Sequence, residues 1–377
     1  MLPGHETCKR TIRNQRPTPP VPASLAEFGS IPEEFSSTST GEPFLIYDNG
    51  AHNPNRILAF ASTDSLTRLA QADTIFMDGT FKSSPTIFTQ IFCMRIPFKN
   101  TAITAVYALL PNKSRAVYEE LFQAVVDKCE ELGHGMFVET VITDFEDSIL
   151  RSVVAVFGRS VTSRGCFYHL TQSTWRHVQS LGLAVHYKED CDFRLFCGML
   201  DGLAFLPPAE VQEGMQHLHS IKPDNPPEVD DLLTYFDRTY VSGHYRQCHG
   251  QGLTINMRRV PPMFPPEVWN VHDAVLNNAP CTNNICEGWN NKFFNLVGTH
   301  HPSVWRVVEW FKKEEATVQT ILAQDAVGNP PVKKVRKKFV NMQTQLRNLC
   351  RDRICGAKSI PEFLRGVGWN IRLNKQY

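Results

Sequence analysis

The sequence predicts an α/β protein: a mixed five-stranded sheet flanked by helices and interrupted by a helical insertion. Three observations lead there. Residues 74–78, Thr-Ile-Phe-Met-Asp, form an almost wholly apolar run that ends in a carboxylate just before Gly79, as expected of a central strand covered on both faces. Two β-rich runs, 86–97 and 101–110, follow across short polar links; links this short join antiparallel neighbours, so the three strands should form a meander. From Ser114 onward helical and strand periods alternate, so the later strands return through crossovers.

Taken in order, residues 1–43 carry Pro17, Pro19, Pro20 and Pro22 and then a Ser/Thr run, and read as a flexible arm or linker. Order should begin at Phe44, where residues 44–47 and 56–60 look like a short hairpin feeding the core. Ser114 is an expected N-cap, with Val117, Leu121, Val125, Cys129 and Leu132 at helical spacing before Gly133. Residues 137–143 read as a strand ending in Asp144. A helix with Ile149, Val153, Val156 and Phe157 on one side follows, then a strand near 160–167. Three meandering strands, helix, strand, helix and strand is the order of the ribonuclease-H-like fold. In that topology the first and fourth strands are parallel neighbours, so Asp78 and Asp144 would emerge at one edge.

The first part of this core spans 44–169. Residues 170–280 are too many for a loop without structure of its own; helical periodicity at 195–205, 211–221 and 229–240 makes them a helical insertion. The final core helices occupy 281–328. In the first, Ile285, Trp289 and Leu296 form the expected apolar stripe behind a Thr282 or Asn283 cap; in the second, Ser303 precedes Val304, Val307, Val308, Phe311, Val318 and Leu322. Residues 329–377 are expected as a basic C-terminal tail, a separate small helical or disordered segment.

The formal charge is only +1, so the chain as a whole is no polycation. Its cations crowd the ends: Lys9, Arg10, Arg13 and Arg16, then Lys333, Lys334, Arg336, Lys337, Lys338, Arg347, Arg351 and Arg353. Basic ends suit phosphate contacts or nuclear import, or are simply solvated. No apolar run is long enough to cross a bilayer, so no membrane partner is expected. Eleven cysteines without a regular framework point to free thiols in a reducing compartment.

Two carboxylates at neighbouring strand ends suit hard divalent cations, which prefer oxygen ligands. Asp78 alternatively opens a turn with Gly79. A third acid is offered by Glu146, which can also be an ordinary first-turn acid, or by Glu287, which can also be a solvated helix-start acid. Cys166 and His169 have the spacing of half a zinc site or of a structural pair just past the last strand. His217, His219, His244, Cys248 and His249 match no ligand spacing, so zinc is not expected. Lys82, Arg176, Arg194, Arg258, Arg259, Lys333, Lys334, Arg336, Lys337 and Lys338 are candidates for DNA phosphates, with Trp175 or Tyr245 available to stack; several would otherwise be plain surface charges.

Asp78-Gly-Thr-Phe-Lys82, Thr143-Asp-Phe-Glu146, Gly165-Cys-Phe-Tyr-His-Leu170, Phe193-Arg194, Leu203-Ala-Phe-Leu-Pro207 and Thr282-Asn-Asn-Ile-Cys-Glu-Gly-Trp289 occur in one order. Together they resemble the Mutator-like element (MULE) transposases, from about residue 44 to 322. The resemblance implies a DDE transposase with Asp78, Asp144 and Glu287 as a two-metal Mg²⁺ or Mn²⁺ triad. It implies cutting of DNA at element ends and joining of the freed 3′ hydroxyl to target DNA, by a homodimer in the nucleus. The family commonly carries an N-terminal zinc-binding DNA-recognition module. Residues 1–40 hold only His5 and Cys8 as soft ligands, so a copy lacking that module is expected. The alternatives are a host-retained DNA-binding or regulatory protein without catalysis, and a metal-dependent nuclease using the same triad.

Overall fold

Residues 19–249, 255–282, 284–329 and 336–373 are described by the structure, a computed structural model. Seven strands form one mixed sheet: β1 (Leu45–Asp48), β2 (Leu58–Phe60), β3 (Thr74–Thr80), β4 (Gln90–Phe98), β5 (Thr101–Leu110), β6 (Thr140–Thr143) and β7 (Thr162–Gly165). Their spatial order is β1-β2-β5-β4-β3-β6-β7, antiparallel from β1 to β3 and parallel across β3-β6-β7. The expected meander is therefore present. The sheet is larger than the five strands expected, because the 44–60 hairpin pairs through β2 onto the free edge of β5.

Several strands start later than their apolar runs do. Residues 86–89 turn after Pro85, Phe88 N–H donating to the Pro85 carbonyl at 2.9 Å. Phe137 lies exposed ahead of β6. β7 stops where Cys166 becomes the N-cap of the next helix.

Alternation along the strands builds a core on each face. Ile75, Met77, Phe92, Met94, Val106 and Ala108 pack under α1 (Thr63–Ala70), α2 (Arg115–Glu131) and α3 (Asp147–Phe157). Ser114 caps α2 through the Val117 N–H, as expected. Ile91, Cys93, Tyr107 and Leu109 face the other way.

The longer helices that follow among the described residues are α4 (Phe167–Ser180), α5 (Cys191–Gly202), α6 (Val211–Ser220), α7 (Val229–Phe236), α8 (Asn284–Val297), α9 (Val304–Ala326), α10 (Lys337–Ile354) and α11 (Ile360–Gly368). α8 and α9 cover the second face. The stripe of α9 is buried throughout, whereas that of α8 runs through Cys286, Trp289, Phe293 and Val297; Leu296 is 41% exposed.

The arm is not free from residue 19 onward. Phe28 and Phe35 are buried against Trp305, whose Nε1 donates to the Pro20 carbonyl at 3.0 Å. Arg56, with no exposed surface, ties the arm to the sheet edge: it bonds Asp48 at 2.9 and 2.7 Å, the Gly29 carbonyl at 2.7 Å and the Phe28 carbonyl. Residues 1–18 lie outside the described residues.

A third core, built by α4 to α7, contains the C-terminal stretch too. Leu346, Cys350, Ile360, Phe363, Leu364 and Val367 are buried in it, so 336–373 is part of this core rather than a separate tail. Two features hold it there. α5 and α11 cross at glycines, where a Cβ on Gly368 would lie 2.8 Å from Met199 N and one on Gly198 2.8 Å from the Gly368 carbonyl. Arg372 then bonds the fully buried Asp201 through Nε at 2.9 Å and again through Nη2.

Arg372→Ala should cost about 3–5 kcal/mol, because it strips a buried carboxylate of its main counter-charge. Urea unfolding reads this, and a loss below about 1 kcal/mol would mean that the pair does not anchor the C-terminus. Gly368→Ala should cost about 1–3 kcal/mol in the same assay, since the new methyl meets backbone that cannot swing aside.

Candidate active site

Parallel strands side by side carry residues of equal register to the same height. β3 pairs with β6 as Thr74↔Thr140, Ile75↔Val141 and Phe76↔Ile142. Phe76 and Ile142 sit in one buried cluster with Cys166 and Cys286. Two residues further along each chain come Asp78 and Asp144, at equal register and, by the two-residue repeat, on that same face.

Asp78 is 5% exposed. Its Oδ1 accepts the Gly79 N–H at 2.9 Å, and its Oδ2 accepts Asn290 Nδ2 at 2.8 Å. Asn290 comes from α8, whose roll is set by Trp289: the indole packs against Tyr107 of β5 with centroids 6.1 Å apart and donates to Glu314 of α9 at 2.9 Å. Arg95 lies beneath the same helix, 5.7 Å from the Trp289 ring, and donates to the Ala102 carbonyl at 2.6 Å. Burial pushes the Cys286 thiol up, with the Arg95 charge pulling the other way. Glu287 belongs to α8, three residues before Asn290, but its side chain lies outside the described residues.

Asp144 follows β6 directly. Burial raises its carboxyl above the ordinary carboxylate range and Glu146 raises it further, while His169 and Lys113 pull it down. Thr143 Oγ1 donates to Asp144 Oδ1 at 3.4 Å.

Glu146 is engaged elsewhere: Lys113 Nζ and Tyr118 OH each reach it at 2.8 Å. Gln90 Nε2 donates to Tyr118 at 2.7 Å. Gln90 in turn lies so close over β3 that a Cβ on residue 79 would be 2.3 Å from its Oε1, which is why glycine follows Asp78. This network braces the turn after Asp144, and its partners are committed to it.

Cys166 is fully buried, and its N–H donates to the Thr143 carbonyl at 2.7 Å. That bond ties the start of α4 to the strand that ends at Asp144. His169, one turn along α4, faces Asp144 electrostatically. Among the described residues, no group of three or more His, Cys, Asp and Glu side chains is placed to hold a metal ion.

The candidate phosphate contacts lie on separate elements. Lys82 is exposed just after β3 and Arg176 on α4, while Arg258 and Arg259 are exposed on β9 (Ile255–Val260), which pairs with β8 (His244–His249). Arg336, Lys337 and Lys338 are exposed at the start of α10; Lys333 and Lys334 lie outside the described residues. Arg194 is spent on the backbone, donating to the Tyr187 and Lys188 carbonyls at 3.1 and 2.8 Å.

Of Asn290, the Gln90–Tyr118–Glu146–Lys113 network and Arg95, the sequence marks only Glu146, as a possible third acid, and the structure spends it on Lys113 and Tyr118; the others are not read from the sequence as site residues. The spacing of Asn290 from Glu287 was a signal for the first, and a lone cation inside the apolar run of β4 was a signal for Arg95. The network is assembled from three distant segments and had none.

No curated protein matches the chain. Residues 74–173, which hold Asp78, Asp144, Cys166 and His169, match the family model described as the MULE transposase domain. That stretch of the chain is similar to the MULE transposase domain, and the β3–β6 pairing that carries Asp78 and Asp144 lies inside it.

Proposed function

We propose that the chain is the core of a DDE-type transposase that cleaves DNA strands and joins 3′ ends to a target with the help of Mg²⁺ or Mn²⁺. The observation that carries this reading is the parallel register Phe76↔Ile142, with Asp78 and Asp144 each two residues further along, inside the span that matches the MULE domain. The order β5-β4-β3-β6-β7, an antiparallel meander followed by two parallel strands, supports a ribonuclease-H-like core extended by β1 and β2. The family resemblance supports Glu287 as the third acid.

The donor set fits a hard cation: carboxylate oxygens, one of them on a residue whose burial disfavours its charge. Bound divalent cations would supply Lewis acidity and charge neutralisation at the scissile phosphate. The protein's own part is orientation. The Gly79 N–H and Asn290 fix both oxygens of Asp78, and His169 favours ionisation of Asp144. The Lys113–Glu146–Tyr118 brace holds the turn that presents Asp144. The substrates under this reading are element ends and target DNA, held by a homodimer acting in the nucleus.

Incubation with supercoiled plasmid and pre-cut DNA ends in Mg²⁺ or Mn²⁺ should give nicked and joined products. Asp78→Ala and Asp144→Ala should each lower them by about 10³-fold or more, as removal of a metal ligand does. Nicks without joined products would assign a nuclease. Metal-dependent products that survive both substitutions would sink the assignment of the site.

Stability provides a second readout, independent of turnover. Asp144→Asn removes a charge that burial disfavours. In EDTA the variant should therefore melt about 1–2 °C above the parent. Mn²⁺ should raise the melting temperature of the parent and leave the variant unchanged; equal shifts in both would rule Asp144 out as a ligand.

A further inference from the structure

We infer that the ribbon formed by β8 and β9 is the arm that grips duplex DNA by its phosphates and presents it beside Asp144. This rests on the transposase reading above. Among the described residues the two strands pair with each other alone and form a separate sheet. Both faces are open among the described side chains: His244, Tyr245, Arg246 and Gln247 are exposed on β8, and Met257, Arg258 and Arg259 on β9. An isolated two-stranded hairpin is at best marginally stable in water, so a ribbon built this way is suited to gaining a partner.

Its chemistry names the partner. Residues 244–260 contain three arginines, two histidines and no Asp or Glu. The register sets Arg246 directly opposite Arg258 on one face, and Tyr245 opposite Arg259 on the other. Like charges directly opposite each other destabilise a strand pair. A polyanion reverses that effect, since phosphates attract both guanidiniums at once. A two-stranded ribbon also has the width that the major groove of B-DNA admits.

The ribbon stands on a rigid root, and the root adjoins the candidate site. Gly243 has φ +73°, and a Cβ there would lie 2.1 Å from the Val260 carbonyl, so the strands enter and leave through a contact that glycine permits. Below it, Trp269 Nε1 donates to the Tyr240 and Phe264 carbonyls at 2.9 and 3.0 Å. Phe145, the residue after Asp144, packs edge-on against both Tyr240 and Phe264, with centroids 5.8 and 5.2 Å away. Gly165 leaves room for that ring: a Cβ there would be 2.4 Å from it. One aromatic side chain thus joins the root of the ribbon to the strand end that carries Asp144.

The test is fluorescence anisotropy with a labelled DNA duplex in EDTA, where no chemistry occurs. The variant Arg246→Ala/Arg258→Ala/Arg259→Ala should bind about tenfold or more weakly. Its plot of log affinity against log salt should be shallower by about 2–3, roughly one unit for each phosphate that the variant no longer neutralises. The corresponding triple lysine variant should recover most of the binding, because it keeps the charge. Arg115→Ala/Arg151→Ala, which removes two cations from other helices, should bind like the parent. Parent-like binding by the alanine variant would overturn the assignment and leave the transposase reading standing, as would lysine and alanine variants that bind equally poorly. A parent that binds no duplex at about 50 mM salt would overturn both readings. Tighter binding of an RNA duplex than of DNA would overturn the choice of DNA.

Discussion

The parallel pairing of β3 with β6 is the constraint on which the rest depends. It aligns Phe76 with Ile142, from two segments more than sixty residues apart in sequence, and so places Asp78 and Asp144 two residues beyond one shared register position. Parallel neighbours need a crossover between them. Here the crossover contains β4, β5 and α2, and the hydrophobic face of α2 covers the strands it connects. Pairing and coverage are therefore one arrangement, and a slip of one residue in β6 would turn Asp144 to the opposite face.

Carboxylates buried at strand ends are costly, and the surroundings show how that cost is managed. Asp78 receives a backbone N–H and the Asn290 amide. Asp144 has the nearby charges of His169 and Lys113, yet its carboxyl still stands above the usual range because burial dominates. The neighbouring acid, Glu146, is compensated by direct bonds to Lys113 and Tyr118. The two acids thus differ in kind: Asp78 is held by direct hydrogen bonds, and Asp144 is dominated by its burial.

The same economy of buried charge fastens the ends of the described chain. Arg56 binds the arm to the sheet edge, and Arg372 binds the C-terminal stretch to Asp201. Each guanidinium offers a fork of donors that can satisfy a carboxylate and backbone carbonyls together. Segments that look like loose termini by composition become parts of the cores, while β8 and β9 form a separate sheet.

The sequence by itself determined the identity and order of the central strands, the Ser114 cap, the stripe of α9 and the helical character of 211–220. All of these depend on periods and caps within a dozen residues, so local propensity and patterning suffice to read them. It also marked Asp78 and Asp144 as strand-end acids, because an apolar run interrupted by a carboxylate is a local signal. Tertiary structure alone decided the pairing of the 44–60 hairpin onto β5, the packing of 19–43 and 336–373, the commitment of Glu146 to Lys113 and Tyr118, and the contact of Asn290 with Asp78. Those outcomes depend on which distant surfaces meet. A Pro-rich or basic segment reads as free until a buried arginine and its carboxylate partner, 171 residues apart in the case of Arg372 and Asp201, are brought together by the fold.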